Sequence, residues 1–111
     1  MIVYLLKEEN GGDIKYKIGR TSKSVKTRIN KLKTGNANNL ICVSQYETNR
    51  AVRLENYLHN YFNSNRIEGE WFNLPESIEI EFSNICKQIE DNIILLETKN
   101  TWYQQKYISK G

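Results

Sequence analysis

Cysteine and long apolar runs are scarce in this chain of 111 residues, and their scarcity excludes several classes of protein. The two cysteines, Cys42 and Cys86, stand far apart in sequence, with no CxxC pair and no histidine nearby. A structural zinc site is therefore not expected. Two isolated thiols are more typical of a reducing cytoplasm than of a secreted disulfide scaffold.

Membrane and export signals are not apparent either. No segment approaches the length of a membrane-spanning helix, and the short apolar opening over residues 1–6 has no basic region before it. We therefore expect a cytoplasmic protein that does not associate with membranes. Its length suits one domain with a modest core.

Acidic residues are absent between Lys15 and Lys33, a stretch that contains eight lysines and arginines. Residues 1–66 hold twelve lysines and arginines against five acidic residues, whereas residues 67–111 hold four against eight. A basic block beside a glycine is typical of a surface that binds a polyanion such as nucleic acid. The alternative is that these lysines only form a solvated face.

The apolar pattern predicts an α+β fold with a small three-stranded antiparallel sheet flanked by helices. Strands are expected over residues 2–7, 14–19 and 40–46, and the three helices should end near residues 33, 63 and 98. In the second strand, alternation predicts that Tyr16 faces the core and Lys17 the opposite, polar side. Suitable N-cap residues precede the first two helices: Ser22 or Ser24, and Thr48 or Asn49.

Glu55 and His59 lie one turn apart beside the apolar stripe of the second predicted helix. A carboxylate that holds Mg²⁺, together with arginines, can stabilise the charge that develops when a phosphodiester is hydrolysed. The spacing fits equally well a solvated glutamate with a packed histidine. Arg28 could likewise only extend its guanidinium into water, and Tyr4 could be a core aromatic residue.

The order of several short motifs distinguishes these alternatives, because it resembles the signature of the GIY-YIG nuclease family. The matching motifs are Val3-Tyr4, Lys17-Ile18-Gly19, Arg28 and Glu55. The chain is most similar to a small phage- and bacterium-encoded branch, in which the second motif often is K-I-G. That branch also has L-H-x-x-F and G-E-W-F segments, which here are residues 58–62 and 69–72.

This resemblance implies the element order β-β-α-β-α-α and metal-dependent cleavage of DNA. Residues 1–75 would form the nuclease core, residues 76–98 a long amphipathic helix that packs on the core or a partner, and residues 99–111 an aromatic tail. A homodimer through the C-terminal helix and tail would suit double-strand cleavage.

The resemblance also implies a role for each matching residue. Glu55 would bind one Mg²⁺ or Mn²⁺ per site, Tyr4 would position or deprotonate the attacking water, and Arg28 would clamp the scissile phosphate. Arg20 would contact the same phosphate. His59 would transfer a proton or orient water near the metal.

Further residues are expected around this site. The DNA backbone would be bound by lysines of the basic block: Lys23, Lys26, Lys31 and Lys33. Asn73 matches, by a loose alignment, a polar residue near the family's site. Lys17 replaces the family's second tyrosine and is expected in the site, where it could stabilise transition-state charge or, with a lowered pKa, act as a base.

Two other functions are compatible with the same residues. The first is a nucleic-acid-binding module of this fold that has lost catalysis, for which Lys17 would be the sign. The second is a protein-interaction adaptor that uses the C-terminal helix and its aromatic tail. For the nuclease, the sequence does not distinguish DNA from RNA as the substrate.

Overall fold

The computed structural model describes the backbone of residues 1–33 and 39–108 and the side chains of residues 1–32 and 39–99. Within these residues, five strands and three helices form an α+β fold. The strands are β1 (Ile2–Asn10), β2 (Asp13–Thr21), β3 (Asn39–Glu47), β4 (Arg66–Glu68) and β5 (Trp71–Phe72). The helices are α1 (Val25–Lys33), α2 (Ala51–Tyr61) and α3 (Ile78–Ile108).

The strands form one antiparallel sheet in the order β3-β1-β2-β5-β4. The predicted class, α+β, is confirmed, but the prediction of a three-stranded sheet is wrong. The central three strands are those expected, and β5 and β4 extend the sheet beyond β2. Strands of two and three residues are too short to carry a periodic signal, and β5 forms by pairing with the distant strand β2.

Alternation along the strands separates two apolar clusters on opposite faces of the sheet. The larger core contains Val3, Leu5 and Ile18 together with buried residues of α2 and α3. The smaller core contains Tyr4 and Leu6, the alternate residues of β1, together with the start of α1. Tyr4 is therefore on the α1 side of the sheet.

Tyr16 faces the larger core, as the alternation predicts, and Lys17 therefore faces the other side. The Tyr16 hydroxyl donates a hydrogen bond of 2.8 Å to Glu79 on α3, and Lys7 Nζ lies 3.1 Å from the same carboxylate. Tyr16 thus joins β2 to α3 and does not replace the missing second tyrosine of the signature.

The helix starts agree only in part with the expected caps. The Ser24 hydroxyl accepts a hydrogen bond of 3.2 Å from the backbone N–H of Thr27, so Ser24 caps α1. α2 begins one or two residues later than expected, after Arg50, which makes no side-chain capping bond. Thr48 and Asn49 are therefore not its N-cap.

α3 continues to Ile108, so the stretch expected to be an aromatic tail is helical as far as that residue. Carboxylates along α3 attach it to the rest of the fold: Glu90 accepts a hydrogen bond of 2.9 Å from Tyr46, and Glu97 lies 3.0 Å from Arg50. No helix in the described part of the chain is both long and apolar enough to cross a membrane. The three-part domain division and the homodimer through α3 stay predictions.

Candidate functional site

A cavity of about 410 Å³ lies where β1, β2, α1, α2 and the β4–β5 turn approach one another. We call it the Glu55 cavity. Four basic side chains and two carboxylates line it: Arg20, Lys23, Arg28, Lys31, Glu55 and Glu70. Tyr4 also contributes to its wall. The structure therefore brings together Tyr4, Arg28 and Glu55, from three different elements, in a site whose lining is net positive and suits an anionic ligand.

Tyr4 lies over Gly19, its cross-strand partner on β2. The Tyr4 side chain is fully buried, and a methyl carbon added at Gly19 would lie 2.5 Å from the Tyr4 hydroxyl oxygen. Glycine is thus the residue that leaves room for the phenol. The Arg28 Nε–H donates to the Tyr4 oxygen at 3.4 Å. Burial raises the pKa of the Tyr4 hydroxyl, and the Arg28 hydrogen bond opposes this rise only in part.

Glu55 is a buried carboxylate on the face of α2 that packs on the sheet. Arg20 Nη1 lies 3.1 Å from Glu55 Oε2 and compensates its charge. Burial raises the pKa of the Glu55 carboxyl, while the hydrogen bond from Arg20 acts in the opposite direction. The Arg20 side chain is 40% exposed, so this cation can leave Glu55 with little disturbance of the core.

His59 lies beside Glu55 but does not line the Glu55 cavity. Its Nε2 lies 2.9 Å from the carbonyl oxygen of Ile18 and 3.8 Å from Glu55 Oε1. Because a carbonyl oxygen only accepts hydrogen bonds, Nε2 carries a proton in this arrangement. The ring also packs on Phe72, with 5.3 Å between the ring centroids. His59 is therefore held as a donor beside Glu55.

Lys17 is placed differently from the expectation, because it does not itself line the Glu55 cavity. Its Nζ lies 3.2 Å from Glu70 Oε2 and 5.3 Å from the ring centroid of Trp71. Glu70 lines the cavity and was not among the predicted site residues, although it belongs to the G-E-W-F segment. The sequence signal that could have identified Glu70 is an acidic residue that follows a glycine in a turn and precedes an aromatic strand.

The family model of the T5orf172 domain matches residues 1–90 of the chain. The chain belongs to the T5orf172 domain family. The T5orf172 domain is a phage nuclease-related domain, so at this level the match supports the nuclease resemblance. The matched residues include every residue that lines the Glu55 cavity. Comparisons with curated proteins and with solved structures found no significant match.

In this T5orf172 domain, Glu55, His59 and Glu70 form a group that could hold a metal ion. Their ligand atoms all lie within 4.8 Å of one another. Ligands about 2.1 Å from an octahedral Mg²⁺ are at most about 4.2 Å apart, so small side-chain movements would close the group around an ion. Carboxylate oxygens are the ligands that Mg²⁺ and Mn²⁺ prefer, so Glu55 and Glu70 fit these ions. His59 fits less well as a ligand through Nε2, because this nitrogen already donates a hydrogen bond to the Ile18 carbonyl oxygen.

The remaining predicted residues are spread over the domain. Lys23 and Lys31 line the Glu55 cavity, whereas Lys26 is exposed on α1 outside that lining. The side chain of Lys33 lies outside the described residues. Asn73 lines a separate cavity near the β1–β2 turn, so the structure does not bring it to Glu55.

Proposed function

We propose that this T5orf172 domain is a metal-dependent endonuclease that hydrolyses phosphodiester bonds in DNA. The observation that carries the proposal is the convergence of Tyr4, Arg28 and Glu55 on one positively charged cavity. These side chains supply a hydroxyl, a guanidinium and a carboxylate. Phosphodiester hydrolysis requires these kinds of group to position water, bind phosphate oxygens and hold a metal.

The arginines form the proposed phosphate subsite. Arg20 and Arg28 line the same cavity, and each planar guanidinium can donate two parallel hydrogen bonds to a phosphate. When a phosphate enters, Arg20 exchanges the Glu55 carboxylate for phosphate oxygens and so makes Glu55 available to a cation. Lys23 and Lys31 extend the positive field along the DNA backbone.

Tyr4 positions the attacking water in this proposal. Its phenol is protonated at neutral pH because the ordinary pKa of tyrosine is about 10, and burial raises the pKa of Tyr4 further, which favours a positioning role over that of a general base. Arg28 contacts the Tyr4 oxygen, so a phosphate held by Arg28 lies next to this hydroxyl. His59, anchored on the Ile18 carbonyl, maintains the position of the adjacent Glu55 carboxylate.

Glu55 would hold one Mg²⁺ or Mn²⁺. When bound, such an ion stabilises charge on the phosphate oxygens and lowers the pKa of a bound water. Hydrolysis joins the water oxygen to phosphorus and breaks one P–O ester bond. One new DNA end then carries a phosphate and the other a hydroxyl.

A nucleic-acid-binding module without catalysis is the second candidate. The ion pairs made by the two carboxylates of the Glu55 cavity favour it. Arg20 and Lys17 already neutralise Glu55 and Glu70, and Lys17 replaces the tyrosine of the family signature. The basic residues would then serve binding alone, with an affinity that falls steeply as salt increases.

Nicking of supercoiled plasmid, in Mg²⁺ and in EDTA, distinguishes the two candidates. We expect nicked circles in Mg²⁺ only, and we expect Glu55→Gln to retain DNA binding while the nicking rate falls roughly 10³-fold or more. Glu81→Gln, on the exposed side of α3, is the matched control. Wild-type protein that binds nucleic acid but cleaves no plasmid, single-stranded DNA or RNA in Mg²⁺ or Mn²⁺ would refute the enzyme and support the binding module.

A further inference from the structure

We propose that Glu70 is a second cation ligand in the Glu55 cavity and that Lys17 is the positioning residue that holds its carboxylate there. This inference rests on the proposed function and deepens it. It assigns a role to Glu70, which belongs to the G-E-W-F segment but was not among the predicted site residues. It also explains why a lysine can stand where the signature has a second tyrosine.

Backbone contacts place Glu70 firmly at the edge of β2. Its carbonyl accepts a hydrogen bond of 3.1 Å from the Ile18 N–H, and Trp71, the next residue, pairs with Lys17 across the sheet. Gly69 before it has a φ of +54°, and an added Cβ there would meet nothing within 4 Å. Glycine is thus favoured for its backbone conformation rather than for space. The resulting turn directs Glu70 to the Glu55 cavity.

Lys17 holds the Glu70 carboxylate from the sheet side. The Lys17 side chain is only 13% exposed, and its Nζ lies 3.2 Å from Glu70 Oε2. The Trp71 ring lies beside the ammonium, with 5.3 Å from Nζ to the ring centroid. Because a carboxylate has two oxygens with several lone pairs, pairing through Oε2 leaves the group able to bind a cation as well.

The two carboxylates of the cavity differ in how firmly each is paired with its basic side chain. The partner of Glu55, Arg20, is 40% exposed and can transfer to a phosphate, whereas Lys17 is largely covered and stays with Glu70. Glu55 and Glu70 oxygens lie within 4.8 Å of each other. At this separation like charges repel, and a divalent cation held by Glu55 and Glu70 would relieve the repulsion. The pair then matches the one or two carboxylates that typically hold Mg²⁺.

Mn²⁺ binding to the full chain, followed by the electron paramagnetic resonance signal of free Mn²⁺, tests the role of Glu70 without relying on activity. We expect Glu70→Gln to weaken Mn²⁺ binding by roughly tenfold or more. Glu68→Gln, an exposed carboxylate two residues earlier, is the matched control and should bind Mn²⁺ like the wild type. Higher Mn²⁺ concentrations should also restore part of the nicking by Glu70→Gln, which they would not do for a misfolded variant.

The positioning role of Lys17 is tested by measuring separately how its substitutions change kcat and KM. We expect Lys17→Met to lower kcat for nicking with little change in KM for DNA, and Lys17→Arg to recover part of the loss. In the Glu70→Gln background, Lys17→Met should add little, because both changes disable the same carboxylate. Lys87→Met, which removes an exposed lysine of α3 outside the Glu55 cavity, is the control.

The Mn²⁺-binding and kinetic results separate the role of Glu70, the role of Lys17 and the proposed function. Unchanged Mn²⁺ affinity in Glu70→Gln would overturn the inference, yet the proposed function would stand if Glu55→Gln still lost both Mn²⁺ binding and nicking. An increase in KM for Lys17→Met, with a shallower salt dependence, would make Lys17 a DNA contact and overturn its positioning role. Wild-type protein that neither binds Mn²⁺ nor nicks DNA would refute the proposed function and this inference with it.

Discussion

Replacing Gly19 by alanine should disable the site while the fold survives. The added methyl carbon would lie 2.5 Å from the Tyr4 hydroxyl oxygen and 2.7 Å from Cζ, whereas ordinary contact begins near 3.4 Å. The phenol must therefore retreat by roughly 0.9 Å, the difference between 3.4 and 2.5 Å. Because the Tyr4 ring is fully buried and part of the smaller core, its neighbours must also move.

The size of the effect follows from two general costs. Misplacing a reacting or positioning group by about 1 Å costs on the order of 10²-fold in rate. Overpacking a core by one methyl group costs about 1–3 kcal/mol of unfolding free energy. The contact of 3.4 Å between Arg28 Nε and the Tyr4 oxygen is already long, so the displacement should disturb it as well. We therefore expect a loss of activity larger than the loss of stability explains.

Nicking rates and urea unfolding curves of Gly19→Ala, measured together, separate these two costs. If the methyl group acts through Tyr4, then Gly19→Ala should reduce the rate much less in a Tyr4→Phe background than in the wild type. A folded Gly19→Ala protein that nicks plasmid at the wild-type rate would refute the reasoning, because Tyr4 would then have no need of its observed position.

Two further predictions concern stability and DNA binding. Glu79→Ala should lower the unfolding free energy at pH 7 by about 1–3 kcal/mol, because it leaves the buried Tyr16 hydroxyl without its acceptor. Hydrogen bonds from Tyr16 and Lys7 lower the pKa of Glu79, so its stabilisation is present above the ordinary carboxyl pKa and is lost as the pH falls through the lowered value. The variant should therefore lose less stability than the wild type between pH 7 and pH 3, measured by urea unfolding. For DNA binding, Lys23→Ala should make the slope of log affinity against log salt shallower by about 0.9, and Lys26→Ala should change it less, as measured by fluorescence anisotropy.

One result for Glu79→Ala and one for the lysine variants would contradict these predictions. Equal stability of Glu79→Ala and the wild type at pH 7 would mean that the Tyr16 hydroxyl finds another acceptor, and Glu81→Ala serves as the exposed control. Identical salt slopes for the two lysine variants would mean that the Glu55 cavity is not the path of the DNA backbone.

Local patterns predicted much of this fold because they are set by neighbouring residues. The alternation in β2 placed Tyr16 in the core and Lys17 on the other face, since side chains of a strand alternate by geometry. The apolar stripe predicted for the second helix likewise packs into the core, where it contributes Leu54 and Leu58. The element order around β1, β2 and β3 followed from such patterns.

Features that depend on long-range pairing could not be predicted in the same way. β5 is only two residues long and exists because Phe72 pairs with Tyr16 across the sheet. Without the pairing of β5 with β2, the G-E-W-F segment does not indicate where Glu70 lies relative to the Glu55 cavity. The ion pair between Arg20 and Glu55 joins residues 35 positions apart and depends on the packing of α2 against β2.

A crystal of the protein soaked in Mn²⁺ and examined by anomalous diffraction tests the proposed site most directly. We predict an anomalous peak about 2.0–2.2 Å from a Glu55 carboxylate oxygen, within the cavity that Tyr4 and Arg28 line. A Mn²⁺ ion bound elsewhere, with Glu55 still paired to Arg20, would contradict the assignment of Glu55 as the metal ligand.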